Sequence, residues 1–265
     1  MSAENLKGRY ALVTGASSGL GVDFARELAS RGCNLILVAR REDRLQSLQQ
    51  ELTAQYDEIE VTVTPLDLTA SEAPQRLYDQ ILKAGKSVDI LVNNAGFGVF
   101  GTHNDIPWEK EKNMLLLDIV VVAHLTKLFL KDMLDRNFGY ILQVSSIGAY
   151  QPSPTYASYS ATKSFVLSFG EALNYELRNT NVSCTVVSPG VTQTEFLEVA
   201  GQEPTLYQRT LMMKSPDVVR IGIKSMLKRK SSVIPGRLNA LLAWSNRFVP
   251  RRLSAALTYR FMTLQ

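Results

Sequence analysis

Residues 10–21 read YALVTGASSGLG, and the architecture of the chain can be worked out from this stretch. Apolar and β-branched residues up to Val13 predict a short buried strand, while Gly15, Gly19 and Gly21 punctuate a turn that opens into a helical pattern. A strand entering a helix through such a turn gathers free N–H groups and the positive end of the helix dipole at one point. Positions without side chains let an anion approach it closely. The expected ligand is a phosphate, with Gly15, Ser17, Ser18, Gly19 and Gly21 as contacts. The spacing is Gly-x-x-x-Gly-x-Gly, distinct from the Gly-x-Gly-x-x-Gly dinucleotide fingerprint.

Outward from this unit the same alternation repeats. Short strand patterns fall at 10–13, 34–38, 60–64, 89–92, 140–144, 183–187 and 232–234, and helical patterns at 19–30, 42–55, 70–84, 110–135, 156–178 and 217–228. Strands alternating with helices predict an α/β fold, a doubly wound parallel sheet of Rossmann type with helices on both faces and its crevice at the strands' carboxyl ends. The expectation is a single domain over 1–265, in which 190–265 covers the substrate and ends in basic helices. The middle of the helix at 110–135 is apolar nearly all round, which points either to a homodimer or homotetramer interface or to a buried central helix.

Composition narrows the function. Hydrophobic residues make up 45% of the 265, enough for a core without disulfides, and Cys33 and Cys184 read as small buried hydrophobes. Residues 1–8 lack a basic region followed by an apolar stretch, and the unbroken apolar runs are short, so the chain is expected to be cytoplasmic. His103 and His124 stand alone, so no metal site is expected; no nucleic-acid motif is present either.

Charge is unevenly distributed. From Val218 onward there are ten basic residues and no Asp or Glu, whereas residues 1–217 carry 19 basic against 25 acidic residues. Leu238, Leu241, Leu242, Ser245 and Phe248 fall at helical spacing, as do Leu253, Ala256, Leu257 and Phe261. Three readings stay open for this tail: peripheral contact with an anionic membrane, docking of an acyl carrier, and packing of both helices on the body.

Further motifs follow in order: Asn93-Asn94-Ala95-Gly96, Tyr159-Ser160-Ala161-Thr162-Lys163 and Ser188-Pro189-Gly190. With the glycine turn, these four resemble the motifs of the short-chain dehydrogenase/reductase family in its single-domain form, across about 180 residues. Tyr159 and Lys163 sit four apart on one helical face, where a cation is expected to lower the phenol's pKa and make Tyr159 a general acid or base. Ser146, thirteen residues before Tyr159, matches the family's catalytic serine; it closes a strand, and the resemblance implies that its hydroxyl hydrogen-bonds a substrate oxygen, with Ser145 as its structural neighbour. The resemblance implies that Lys163 also holds the nicotinamide ribose. By the same resemblance Asp67 contacts the adenine, Asn93 and Gly96 the ribose side, and Val191, Thr192 and Thr194 the carboxamide end.

The sequence departs from the family at one catalytic position. Where the family's pattern has an Asn in the long helix, this chain has Asp118, which can accept the same bonds but cannot donate through an amide. After the second strand come Ala39, Arg40 and Arg41, with no acid to bind ribose hydroxyls. A guanidinium there favours a 2′-phosphate, so the expected cofactor is NADP(H). Phe196, Leu197, Leu206, Tyr207, Leu211, Met212 and Met213 suggest an apolar carbonyl or alcohol substrate, of ketone or 3-oxoacyl type. The alternative from another class is a non-catalytic NADP-binding sensor or scaffold.

Overall fold

Successive side chains of a strand point to opposite faces of the sheet, and here both faces are apolar. The computed structural model describes residues 6–263, the Tyr207 side chain excepted. Seven parallel strands form the main sheet: β1 (Tyr10–Thr14), β2 (Asn34–Ala39), β3 (Val61–Pro65), β4 (Val88–Asn93), β5 (Gly139–Val144), β6 (Val182–Val187) and β9 (Ser232–Val233). Their order is β3-β2-β1-β4-β5-β6-β9, and all seven strand patterns read from the sequence are present.

Val13, Leu35, Leu37 and Leu142 turn to the face covered by α1 (Gly19–Ala29), α2 (Glu42–Gln55) and α9 (Ser215–Leu227). Their neighbours Leu12, Ile36, Val38 and Ile141 turn to the face covered by α3 (Ala73–Lys83), α5 (Val122–Asp135) and α6 (Ala157–Glu176). Each fully buried leucine contributes about 1.5–3 kcal/mol, so this double-sided burial holds the doubly wound fold together.

Strand order reverses between β1 and β4, which open the crevice at their carboxyl ends. The helix expected at 70–84 starts at Ala73, because Pro74 fits the first helical turn and Glu72 before it adopts a left-handed φ of 55°. The long apolar helix runs as α4 (Trp108–Leu115), a π-helical stretch at Leu116–Val121, and α5. Trp108–Asp135 is long and apolar enough to cross a bilayer, which the short unbroken apolar runs of the sequence did not lead one to expect. Met114, Asp118, Val121 and Leu125 are nevertheless buried in the body, as in the core helix of a doubly wound fold.

Past β6 lie elements the sequence did not separate. β7 (Thr192–Gln193) pairs with β8 (Met213–Lys214), and between them sit α7 (Phe196–Ala200) and α8 (Leu206–Leu211). The chain continues into α10 (Arg237–Ser245) and α11 (Arg251–Thr263).

Candidate active site

The glycine turn sits between β1 and α1. Gly15 has φ 68° and Gly19 φ 52°, conformations that glycine adopts without strain. Ser18 is the N-cap of α1 but makes no side-chain cap bond, and the first turn holds no acid, so the helix's amino end is open to an anion. Thr14 Oγ1 ties the turn to the end of β4 by accepting the backbone N–H groups of Asn94 and Ala95, each at 3.0 Å. Asn94 Nδ2 donates back to Thr14 O at 2.9 Å.

Two residues assigned to cofactor contact stand elsewhere. A Cβ on Gly21 would lie 2.1 Å from Gly15 O, so this glycine is required for packing of helix against turn, and it does not line the cavity. Asn93 is buried and donates to Thr126 Oγ1 at 3.0 Å and Gln143 Oε1 at 3.1 Å. The asparagine that lines the cavity is Asn94, just past the end of β4, where its N–H turns back to Val92 O at 3.0 Å.

The cavity occupies 710 Å³ and reaches from the glycine turn past the carboxyl ends of the strands to α11. Ser146, Tyr159 and Lys163 meet within it. The Ser146 hydroxyl accepts the Gly148 N–H at 3.1 Å and opposes the rise of the Tyr159 pKa. Ser145 acts structurally, since its hydroxyl donates to Lys163 O at 2.7 Å and so fixes α6 against β5. The Tyr159 ring packs against Phe196 at 5.3 Å and Tyr156 at 5.7 Å between centroids.

Asp118 does not line the cavity. It lies behind the active-site residues at 0% exposure, inside the π-helical stretch. Such stretches are frequent at functional sites because the widened turn re-aims side chains. Its Oδ2 meets Lys163 Nζ at 3.1 Å and accepts the Thr162 hydroxyl at 3.2 Å, while Oδ1 accepts the Phe97 N–H at 3.3 Å. Burial pushes the Asp118 carboxyl above its usual range, against the pull of Lys163 and of the two hydrogen-bond donors. A Cβ on Gly96 would lie 2.8 Å from Asp118 Oδ1 and 3.1 Å from Lys163 Nζ, so only glycine leaves room for the pair.

The phenol differs from its sequence expectation. Burial raises the Tyr159 pKa, the Asp118 charge raises it further, and the Ser146 hydroxyl opposes both. Lys163, expected to lower it, directs its ammonium at Asp118 and lies 5.6 Å from the Tyr159 ring centroid. The buried carboxylate offsets the cation on which that expectation rested.

At the other end, Arg40, Arg41 and Asp67 line the cavity. Burial favours a neutral Asp67, but two hydrogen bonds from Thr69 and the Arg40 charge outweigh it and hold the carboxyl below its usual value. Arg41 Nε donates to Ser17 Oγ at 3.3 Å, which brings its guanidinium to the glycine turn. Glu195, unforeseen in the sequence, bridges Arg41 at 3.2 Å and Arg44 at 2.6 Å. Val191, Thr192 and Thr194 line the wall between these ends.

Phe196, Leu197, Val199, Leu211, Phe261 and Met262 form the apolar wall, whereas Leu206, Met212 and Met213 lie outside the cavity. Leu206 is 72% exposed, on the outer side of α8, and Met213 is drawn into the short β7–β8 pair. A buried amide chain fastens this wall. Tyr156 Oη donates to Gln202 Oε1 at 2.8 Å, Gln208 Nε2 to the same oxygen at 3.1 Å, and Gln202 Nε2 to Met262 O at 3.2 Å.

Similarity to known proteins agrees with this geometry. Residues 9–204 match the family described as short chain dehydrogenase. Mouse (Mus musculus) 17-beta-hydroxysteroid dehydrogenase type 3 is 32% identical over 222 residues, 82% of this chain and 71% of that protein. A short-chain dehydrogenase from Sphingobium yanoikuyae in complex with NADPH superposes with a TM-score of 0.80 at 27% identity, covering 91% of this chain and 94% of its own. One from Burkholderia phymatum in complex with NAD gives the same TM-score and coverage at 25% identity. The chain therefore belongs to the short-chain dehydrogenase/reductase family of oxidoreductases.

Proposed function

We propose that the protein is an NADP(H)-dependent carbonyl reductase, acting on an apolar ketone or 3-oxoacyl-type compound by hydride transfer. The observation that carries the reading is the meeting of Ser146, Tyr159 and Lys163 in one cavity with the guanidinium-flanked glycine turn. The donor set fits a phosphorylated dinucleotide: the open amino end of α1 suits the pyrophosphate, and Arg40 and Arg41 suit a 2′-phosphate. When bound, the nicotinamide supplies or accepts the hydride.

The chain's own groups handle the proton. Tyr159, held protonated by burial and by Asp118, donates to the substrate oxygen in reduction, and Ser146 hydrogen-bonds the same oxygen as charge develops on it. Lys163 orients the cofactor's sugar, with Asp118 as its positioning residue. Val191, Thr192 and Thr194 hold the carboxamide end, and Asp67 the adenine side.

The apolar wall favours hydrocarbon-rich substrates. The mouse relative's name, a hydroxysteroid dehydrogenase, is consistent with that class. For assembly, the outer side of the helix Trp108–Asp135, where Val120 is exposed, is the surface we assign to pairing of two copies.

The decisive assay is consumption of NADPH and NADH with ketones, 3-oxoacyl thioesters and steroids. Turnover of an apolar ketone with NADPH supports the reading. Cofactor binding without turnover of any of the three classes would favour the sensor or scaffold alternative.

A further inference from the structure

The two C-terminal helices leave large apolar side chains on their outer sides. An amphipathic helix on a soluble protein turns its apolar stripe to the body, yet Leu238, Leu241 and Trp244 of α10 are exposed, as are Leu253 and Leu257 of α11. Phe248, in the turn between the helices, is 71% exposed and packs edge-on to Trp244 at 4.8 Å between centroids. On α11, Ser254 faces the body at 5% exposed, its hydroxyl donating to Asn246 Oδ1 at 2.8 Å, and Thr258, Phe261 and Met262 face the cavity. Packing of both helices on the body, one of the readings open from the sequence, describes one side of them: Ala243 of α10 is buried and Thr258, Phe261 and Met262 of α11 line the cavity, while Leu238, Leu241, Trp244, Leu253 and Leu257 are left outside. Exposed large apolar residues gathered on two consecutive helices mark a surface that something covers.

Charge identifies the cover. Arg237, Arg247, Arg251, Arg252 and Arg260 are exposed on the same two helices and their connecting turn, and no Asp or Glu occurs anywhere in residues 218–265. The partner must therefore present hydrocarbon to the leucines and aromatic rings, and negative charge to the arginines. A second copy docking through the same face would set these arginines against one another, since a two-fold interface is self-complementary. An anionic lipid bilayer meets both demands: acyl chains receive the apolar face and headgroup phosphates the guanidinium groups.

We infer that α10 and α11 form a membrane-docking face that seats the protein on anionic lipid with its cavity beside the bilayer. The opposite side of α11 supports the placement, because Thr258 and Met262 line the cavity. One helix thus separates the lipid from the pocket. On the proposed function, an apolar carbonyl compound dissolved in the bilayer has a short path to Tyr159; the docking itself does not depend on that reading.

The test is co-sedimentation of the full chain with vesicles of phosphatidylcholine alone and of phosphatidylcholine with phosphatidylglycerol, at low and at moderate salt. The expected result is binding to the anionic vesicles only, weakened by salt. Replacing Arg251 and Arg252 together with Gln should weaken it roughly 30-fold, at the usual contribution of a cation near such a surface. Phe248→Ser with Leu253→Ser should abolish it while leaving the circular dichroism spectrum and the Tm unchanged. In a Trp108→Phe background, Trp244 emission should shift to the blue on binding.

Failure to bind anionic vesicles at low salt would overturn the inference. So would binding unaffected by the Phe248 and Leu253 changes, which would mean bare charge attraction. A dimer in solution that dissociates on Leu241→Ser would assign the face to a second copy instead. None of these readouts requires turnover, so they succeed or fail independently of the catalytic proposal.

Discussion

Lys163 Nζ and Asp118 Oδ2 lie 3.1 Å apart, both side chains almost wholly removed from solvent. The carboxylate receives three donors, those of Lys163, Thr162 and Phe97, so all its hydrogen-bonding is as an acceptor. An asparagine would have to turn its NH₂ toward one of them. Removing one partner of a buried ion pair leaves the other uncompensated, and Asp118→Ala is expected to cost about 3–5 kcal/mol of stability. Thermal or denaturant unfolding measures this, and a loss within measurement error would contradict the pairing.

Asp118→Asn separates charge from packing. Removing the negative charge removes one cause of the raised Tyr159 pKa. Alcohol oxidation requires the phenolate, so its activity rises with pH through the Tyr159 pKa; in this variant that limb moves to lower pH. In the carbonyl-reducing direction the declining limb moves to lower pH as well. Profiles of kcat/KM in both directions check the shift, and an unmoved or upward-shifted limb would show that Asp118 does not act on the phenol.

Tyr159→Phe deletes the proton donor and keeps the ring that packs against Tyr156 and Phe196. Turnover should fall by about 10²–10⁴-fold, the usual worth of a positioned acid, with NADPH affinity nearly unchanged. Single-turnover rates and cofactor titration separate the two. Near-wild-type turnover would remove Tyr159 from the mechanism.

Glu195 engages Arg41 at 3.2 Å and Arg44 at 2.6 Å, and of the two Arg41 lines the cavity where the proposed function puts a 2′-phosphate. Exposed pairs are worth about 0.2–1 kcal/mol, so Glu195→Gln should tighten NADPH binding by up to about 5-fold and leave NADH nearly unaffected. Arg41→Ala should weaken NADPH selectively. Fluorescence titration of both cofactors decides this, and equal effects on the two would take these residues out of phosphate recognition.

The main sheet was legible because β-branched runs, glycine punctuation and helical periods agree along most of the chain. The closeness of Tyr159 and Lys163 was legible from helix spacing, and that of Ser146 from its resemblance to the family's catalytic serine. The Glu195 bridge was not, since it joins residues more than 150 positions apart. The same applies to the Gln202–Gln208 chain, whose members carry no pattern of their own. Asn93 and Asn94 are chemically identical, and the turn of the backbone past the end of β4 decides which one lines the cavity. The tail's stripes were visible as helical spacing, but which of their residues face outward, as Leu241 and Leu253 do, and which line the cavity, as Phe261 does, is a tertiary fact. The direction of the Tyr159 pKa shift was not legible, because the sequence does not show that Asp118 reaches Lys163 first.

The central claim is that this chain passes hydride from NADPH to a carbonyl carbon, with Tyr159 supplying the proton. Reduction of an accepted apolar ketone with NADPH deuterated at C4, using each of the two C4 epimers in turn, followed by mass spectrometry of the product alcohol, tests it most directly. The account predicts one deuterium on the carbinol carbon from one epimer only, and almost no product from Tyr159→Phe. Alcohol lacking deuterium with both epimers, or no alcohol at all despite tight NADPH binding, would contradict it.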